Sequence, residues 1–415
     1  MRIKFITFGC KVNQYETQAL KEKFEKLGCL ICEEKPDLCV INGCSVTANA
    51  DRKSKEALAR AKKENPKAKI VACGCFAQLP GSLSSKHNTD YVIPQSKKHL
   101  LPEIVLGLVS EQKQPTSESV WSLRVSCFSN QRAFIKVQDG CSNYCAFCKI
   151  PYLRGPSCSR KLEDVLAEIK VISKLHNEVV LCGINLGLYG RDLTSQQTLN
   201  SLLIEILNLS LLGRVRISSL ESYSFDYQLL SHFSQKKLCP HLHLSFQYGD
   251  NSILKAMNKQ ESVELYEDIV DQARKIKPNI ALSCDIMVGF PGENDKSFQN
   301  TLDFLRRVKP MRTHIFSFSP REKTLLCNAK ITDRKKIRQR YKIIKQLTDH
   351  FAVEYMSGFV GNVLEVIGEE ETSGFVSGYT ENYLRVYVEP RISLGKIVPV
   401  KIKKIADNKL FAYPV

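Results

Sequence analysis

Short apolar runs alternate with helical patterns over the first 105 residues. Ile3 to Phe8, Leu38 to Ile41 and Ile70 to Ala72 are strand-like, and helical periodicity fills about Gln14 to Leu27 and the stretch after Thr47. This rhythm predicts parallel strands in an α/β layer. Asn13 with Glu16 three residues on matches the spacing of a helix capping box. The polar, weakly patterned stretch 111–126 has the composition of a linker. From Ala133 the rhythm resumes, with strands expected near 133–138, 178–183, 214–218, 241–245, 281–288 and 313–318, and a last helix over Lys330 to Val353. Six βα units are too few for a closed eightfold barrel, so an open partial barrel is expected. After Gly358, short alternating segments at 363–367, 384–388 and 398–402 predict a small antiparallel β module. The expected domains are thus 1–112, 127–354 and 355–415.

Composition agrees with a folded chain: 415 residues at 43% hydrophobic content can bury a core and form two or three domains. The formal charge of +17 makes a polyanion, nucleic acid first, the partner to consider. The amino terminus has no apolar region followed by a small-residue cleavage site, and no stretch approaches membrane-spanning length. A cytoplasmic chain is expected. Thiols stay reduced there, so clusters among the 16 cysteines point to metal or catalysis before disulfides.

The clearest cluster is Asp139-Gly-Cys141-Ser-Asn-Tyr-Cys145-Ala-Phe-Cys148, directly after the first strand of the central domain. Cysteine thiolates hold iron–sulfur clusters, and three of them leave one of four irons open. The amino and carboxylate groups of S-adenosylmethionine are suitable donors to that iron, and Phe147 is placed to pack beside its adenine. Structural zinc normally takes four Cys or His ligands in paired spacing, and no histidine lies between His99 and His176. A second set is more open to a bland reading. Cys10, Cys44 and Cys75 each follow an apolar run, and strand ends of an open α/β sheet converge. Lone cysteines in separate loops are nonetheless more often core thiols than ligands.

The C-x3-C-x2-C loop resembles the signature of the radical S-adenosylmethionine superfamily. The resemblance implies a six-stranded partial barrel, a [4Fe-4S] cluster on Cys141, Cys145 and Cys148, and reductive cleavage of S-adenosylmethionine to a radical that abstracts hydrogen. Further segments fall at predicted strand ends where the cofactor would lie. They carry Gly183 and Asn185, Ser219 and Glu221, Gln247, and Asp285 and Gly289.

Three flanked cysteines narrow the resemblance. Phe8-Gly-Cys10-Lys-Val-Asn-Gln-Tyr-Glu16, Val40-Ile-Asn-Gly-Cys44-Ser-Val-Thr47 and Gly74-Cys75-Phe-Ala-Gln78 are similar to the cysteine loops of the methylthiotransferases, whose domain order covers the whole chain. That family implies a second [4Fe-4S] cluster on Cys10, Cys44 and Cys75 as the source of the transferred sulfur, and a C-terminal RNA-binding TRAM barrel from Gly358. Gly43 stands where threonine is usual, Tyr248 where serine is usual, and Cys39 and Cys73 lie in apolar runs as strand thiols. The first loop and Arg154-Gly155 look most like the enzymes acting on N6-threonylcarbamoyladenosine at position 37 of tRNA, beside the anticodon. The isopentenyladenosine enzymes, those modifying a ribosomal-protein aspartate, and a non-catalytic RNA-binding iron–sulfur protein are the alternatives. An electron donor and a sulfur source are implied but unidentified.

Two basic stretches, Arg52 to Lys69 and Arg334 to Lys345, and the group Lys401, Lys403 and Lys404 are candidates for phosphate contact, though solvated helix faces look the same. Tyr379, Tyr383 and Tyr387 are candidates for stacking on bases.

Overall fold

The computed structural model describes residues 1–78, 89–109, 120–194, 197–331, 333–372 and 374–415. By its internal contacts the chain forms two compact units. The first comprises 1–126, 139–160 and 319–327; the second comprises 127–138, 161–318 and 328–415.

The first unit is built on a parallel sheet of β1 (Arg2–Thr7), β2 (Leu30–Ile31), β3 (Leu38–Gly43), β4 (Lys69–Gly74) and β5 (Tyr91–Ile93), in the order β2-β1-β3-β4-β5. Every residue of β3 is buried, as expected of a central strand covered on both faces. Helix Ala48–Glu64 lays Ala57, Leu58 and Ala61 against Cys39, Ile41, Ile70, Ala72 and Phe76. Thr47 caps it, its hydroxyl accepting the Ala50 N–H at 3.1 Å. Cys39 and Cys73 are fully buried strand residues. Helix Lys11–Lys26 corrects one expectation. Its N-cap is Cys10, with no side-chain cap, so Asn13 and Glu16 do not form a capping box. Both side chains are buried inside the unit, each only 1% exposed. Of the stretch read as a linker, 110–119 lie outside the described residues. Beyond it Leu123 and Val125 are buried, Tyr15 donates to the Leu123 carbonyl at 3.0 Å, and Glu22 accepts from the Ser126 N–H.

In the second unit, β6 (Arg132–Lys136), β9 (Glu178–Cys182) and β10 (Arg214–Ile217) form one parallel sheet. Between β6 and β9 the chain carries two-residue strands β7 (Gln138–Asp139) and β8 (Cys158–Ser159). A second parallel sheet has the order β11 (Ser219–Leu220), β12 (His241–Gln247), β13 (Ala281–Val288) and β14 (Arg312–Ser317). These are the strands of the expected partial barrel. Helices Val263–Ile276 and Asp295–Val308 present their buried faces from Val263 to Ala273 and from Phe298 to Val308, and Phe246, Tyr266 and Phe304 pack ring on ring.

The C-terminal segment closes a five-stranded barrel from β15 (Val363–Thr372), β16 (Phe375–Thr380), β17 (Arg385–Val388), β18 (Ile397–Ala406) and β19 (Lys409–Pro414), in the order β15-β16-β17-β19-β18. Its pairs are antiparallel except β17 with β19, which run parallel. This barrel is tied to the βα strands by arginines. Glu178 is fully buried and accepts from Arg214 Nε at 2.6 Å and Arg216 Nε at 2.9 Å, with Arg132 Nη1 at 3.8 Å. The remaining guanidinium nitrogens of Arg214 and Arg216 donate to the carbonyls of Glu365, Tyr379, Thr380 and Glu381. Two sequence expectations are corrected here. Tyr379 and Tyr383 are not an exposed stacking pair: they stack on each other and lie under Arg132 and Arg312, with Arg216 also over Tyr383. Arg340, read as part of a basic stretch, is buried over the Phe298 ring and paired with Glu293 and Asp295. Among the described residues no helix is long and apolar enough to cross a membrane.

Candidate functional site

The loop carrying Cys141, Cys145 and Cys148 belongs to the first unit and is shaped by its backbone. Gly140 takes φ +67°, and a Cβ there would lie 2.0 Å from the Pro156 carbonyl oxygen, so only glycine fits. The Cys141 N–H donates to the Gly155 carbonyl at 3.1 Å and the Cys148 N–H to that of Cys145 at 2.9 Å. All three thiols, with Phe147, are partly exposed. A solvent-reachable trio of soft donors suits an iron–sulfur cluster that must meet a second ligand.

Cys10, Cys44 and Cys75 sit at the carboxyl ends of β1, β3 and β4, and the parallel sheet brings them together. Gly9, at φ +106°, allows the approach: a Cβ there would lie 2.8 Å from Cys44 Cβ and 3.2 Å from its Sγ. Cys10 is exposed, whereas Cys44 and Cys75 are buried. Burial pushes the Cys44 thiol up to about 12 and raises that of Cys75; the neighbouring cysteines reinforce this and Arg154 opposes it. Such thiols ionise when a cation takes the place of their protons, which fits a ligand set for iron.

Arg154 is the residue around which this site is organised. It ends the short helix Ile150–Arg154 and its side chain is fully buried. Nε donates to Cys75 Sγ at 3.2 Å, Nη1 to Glu16 at 3.0 Å and to Asp139 at 2.9 Å, and Nη2 to Asn13 Oδ1 at 2.6 Å. Lys98 supplies a second cation to Glu16 at 2.6 Å. The loop after Cys44 is held separately. Ser45 Oγ accepts from Lys149 at 3.2 Å, and Ser45 O accepts from Arg321 at 2.9 Å, while Arg321 also binds Asp51. The sequence reading used Arg154 only as a family marker and missed Lys149 and Arg321. Lys149 directly follows the last cysteine of the triplet, which was the one available hint.

The departure at Gly43 has a local cause. A Cβ there would lie 2.8 Å from Phe76 Cβ and 2.9 Å from Ser54 Oγ, so a threonine would collide with Phe76.

The other candidate residues belong to the second unit. Gln138 Oε1 accepts the N–H groups of Ile184 and Asn185, fixing the turn after β9, and Gly183 packs against the Gln138 and Leu186 side chains. Asn185 is buried and donates to Tyr223. Ser219 is in β11, and Glu221 follows it, bound to Lys259 at 2.6 Å. Burial pushes the Glu221 carboxyl up to about 7 against the opposing charge of Lys259. Gln247 is buried at the end of β12 with φ +66°. Asp285 lies between His243 and His314. Gly289 has φ +77° and abuts Ile337, so backbone shape and packing already require glycine there.

With this geometry in place, comparison with known proteins is specific. Residues 2–94 match the uncharacterized protein family UPF0004, 135–305 the radical SAM superfamily and 359–415 the TRAM domain. The threonylcarbamoyladenosine tRNA methylthiotransferase MtaB of Aquifex aeolicus is 34% identical, over 97% of this chain and 100% of that protein. Its Thermotoga maritima counterpart is 33% identical over 98% and 95%. The tRNA-2-methylthio-N(6)-dimethylallyladenosine synthase of Rickettsia rickettsii is 32% identical over 97% of each. Among solved structures, the radical S-adenosylmethionine methyltransferase TsrM of Kitasatospora setae shares the fold, at 14% identity and a TM-score of 0.55 over 76% of this chain and 74% of that one. A radical S-adenosylmethionine enzyme uses S-adenosylmethionine and an iron–sulfur cofactor, and the partly exposed cysteine loop has three thiols of the type that hold such a cluster. The chain belongs to the tRNA methylthiotransferases of the radical S-adenosylmethionine superfamily, alongside those named for threonylcarbamoyladenosine.

Proposed function

We propose that this chain converts N6-threonylcarbamoyladenosine at position 37 of tRNA to its 2-methylthio derivative. One [4Fe-4S] cluster would be held by Cys141, Cys145 and Cys148 and a second by Cys10, Cys44 and Cys75. The observation that carries the reading is the second trio: three strand-end thiols, two of them buried, gathered beside a buried arginine. A methylthiotransferase needs that set for sulfur, whereas a radical enzyme of another kind does not. When bound, such clusters supply the electron that cleaves S-adenosylmethionine and hold the sulfur to be transferred.

The chain's own residues hold and shape this chemistry. The six thiolates bind iron, and Arg154 fixes Cys75 through Nε while its other nitrogens stay committed to Glu16, Asp139 and Asn13. Gly183, Asn185, Ser219, Glu221, Gln247, Asp285 and Gly289 remain the residues proposed to line the S-adenosylmethionine side, with Phe147 beside the adenine. Burial raises the Glu221 carboxyl while Lys259 Nζ, 2.6 Å away and shared with Glu261, opposes the rise and fixes Glu221 in place. The reductant and the sulfur come from partners, in the cytoplasm where tRNA is modified.

Nucleoside analysis of tRNA from a strain lacking the protein tests the substrate. The 2-methylthio-threonylcarbamoyladenosine is expected to vanish and to return with the wild-type gene, but not with a variant carrying Ala at Cys10, Cys44 and Cys75. Unchanged levels, or loss of the isopentenyl derivative instead, would reject the assignment. Anaerobically reconstituted enzyme should hold about eight irons, and about four in that variant, as two four-iron clusters require.

The C-terminal barrel offers the tRNA a basic aromatic face. Tyr387 packs on Phe411, and Phe375 meets Phe411 edge-on, with Arg385 and Lys409 over the Tyr387 ring and Lys404 over Phe411. Replacing Tyr387 and Phe411 with Ala together should weaken tRNA binding by about tenfold or more, since each stacked base is worth about 1–3 kcal/mol. Filter binding at several salt concentrations would read this, and affinity equal to wild type would move the RNA site elsewhere.

A further inference from the structure

The polar face of the second parallel sheet carries a group of side chains of which only Asp285 is among the residues proposed to line the S-adenosylmethionine side. His243, Asp285 and His314 come from the adjacent strands β12, β13 and β14. Asp285 pairs in register with His314, and His243 with Ser283, two residues before Asp285, so strand alternation puts all four on one face. One donor atom from each of the three ligand-type residues lies within 4.8 Å of the others. His243 Nε2 is 3.1 Å from Asp285 Oδ2, and His314 Nδ1 is 3.1 Å from Asp285 Oδ1. The two imidazole rings are 5.4 Å apart, tilted 36° to each other.

We propose that His243, Asp285 and His314 form a binding site for one divalent transition-metal ion, separate from the cysteine ligands. Two imidazole nitrogens and one carboxylate oxygen, with no sulfur, are the donor set that takes Mn, Fe, Co or Zn and leaves positions open for an oxygen ligand. The two His–Asp separations of 3.1 Å, one to each carboxylate oxygen, with all three donors within 4.8 Å of one another, are compatible with a coordination shell whose metal–ligand bonds are about 2.0–2.2 Å. A supporting layer is also present. His243 Nδ1 is 2.8 Å from Ser283 Oγ, which is itself 2.8 Å from His241 Nε2, so the outer nitrogen of His243 is engaged and Nε2 is aimed at Asp285. Ser283 is buried, the His243 side chain is 10% exposed and that of His314 is 58% exposed, so the site is anchored on one side and open on the other. The ligands stand on neighbouring strands of one sheet, which fixes their separation more firmly than loops would.

The test uses the full-length enzyme with its iron–sulfur cofactor reconstituted anaerobically, so that the cysteines are occupied, and Mn2+ as the probe. Mn2+ prefers oxygen and nitrogen donors to thiolates, and its free ion gives a solution EPR signal that is lost on binding. Wild type should bind about one Mn2+ per chain, displaced by Zn2+. D285N and H314A should each weaken that binding at least about a hundredfold, and S283A about tenfold, the range for an outer-layer partner. H314A removes a largely exposed side chain and should leave the fold and the iron content unchanged. Absence of Mn2+ binding by wild type, or H314A and D285N binding it as wild type does, would overturn the proposal. Neither result would touch the methylthiotransferase reading, which rests on iron content and tRNA nucleosides.

Discussion

Arg154→Leu is expected to destabilise the first unit by about 3–5 kcal/mol and to prevent iron from assembling on Cys10, Cys44 and Cys75. The magnitude follows from what the guanidinium leaves behind. Glu16 and Asp139 have side chains 1% and 4% exposed, and both bind Arg154 directly. Asp139 would lose this cation while keeping the Gly140 N–H at 2.8 Å, and Glu16 would still have Lys98 and Gln95 but would lose its bidentate partner. A buried carboxylate without its cation costs several kcal/mol, far more than the net worth of the intact pair. Urea denaturation followed by the fluorescence of Trp121, the only tryptophan and part of this unit, gives the measurement. Arg154→Lys keeps the charge without the planar fork, so it should recover part of the stability and little of the iron. Adding Glu16→Gln and Asp139→Asn to Arg154→Leu should restore much of the stability while leaving the iron lost. An Arg154→Leu midpoint equal to that of wild type would show that these buried charges are not what holds the unit together.

The same residues show where sequence reading succeeds and where it stops. Strand alternation gave the parallel strands to within a few residues, because each long run is buried on at least one face and must be apolar there. Leu30–Ile31, Tyr91–Ile93 and Ser219–Leu220 escape it, since two or three residues carry no period. Asn13 and Glu16 have the spacing of a capping box, which suggests a local cap. Their real partners, Arg154 and Lys98, are remote in sequence, and no local rule reaches them. Tyr379 and Tyr383 failed for the same reason: the arginines that cover them come from β6, β10 and β14. Cys10, Cys44 and Cys75 were legible only through their flanking residues, whereas the Cys141 triplet was legible from spacing alone. The His243, Asp285 and His314 group could not be read at all, since three single residues on three strands leave no motif.

Glu178 gives the second large effect, and it concerns how the C-terminal barrel is held. Arg214-Val-Arg216 lies in the strand expected near 214–218. In the structure both guanidiniums, with Arg132, converge on one fully buried carboxylate. Burial pushes the Glu178 carboxyl up, but Arg216, Arg214 and Arg132 overcome it and hold the group at about 2, against an ordinary value of 4.5. Because the folded value is the lower one, folding is favoured wherever the unfolded carboxyl is also ionised. The stabilisation is therefore complete above about pH 4.5 and is lost progressively as pH falls through about 2. A difference of that size corresponds to about 3 kcal/mol. Glu178→Gln should remove it, and it leaves three buried cations facing a neutral amide, so a loss of about 3–5 kcal/mol at neutral pH is expected. The carbonyls of Glu365, Tyr379, Thr380 and Glu381 depend on those guanidiniums, so the barrel should loosen first and its amide protons should exchange faster than those of the βα strands. Hydrogen exchange read by mass spectrometry at neutral pH, with urea midpoints for both proteins from pH 7 to pH 2, provides the check. The gap between wild type and Glu178→Gln should narrow below about pH 4.5, because acid removes from the wild type the same charge that the substitution removes. A gap independent of pH would assign the loss to packing and leave the arginines' role to their carbonyl contacts.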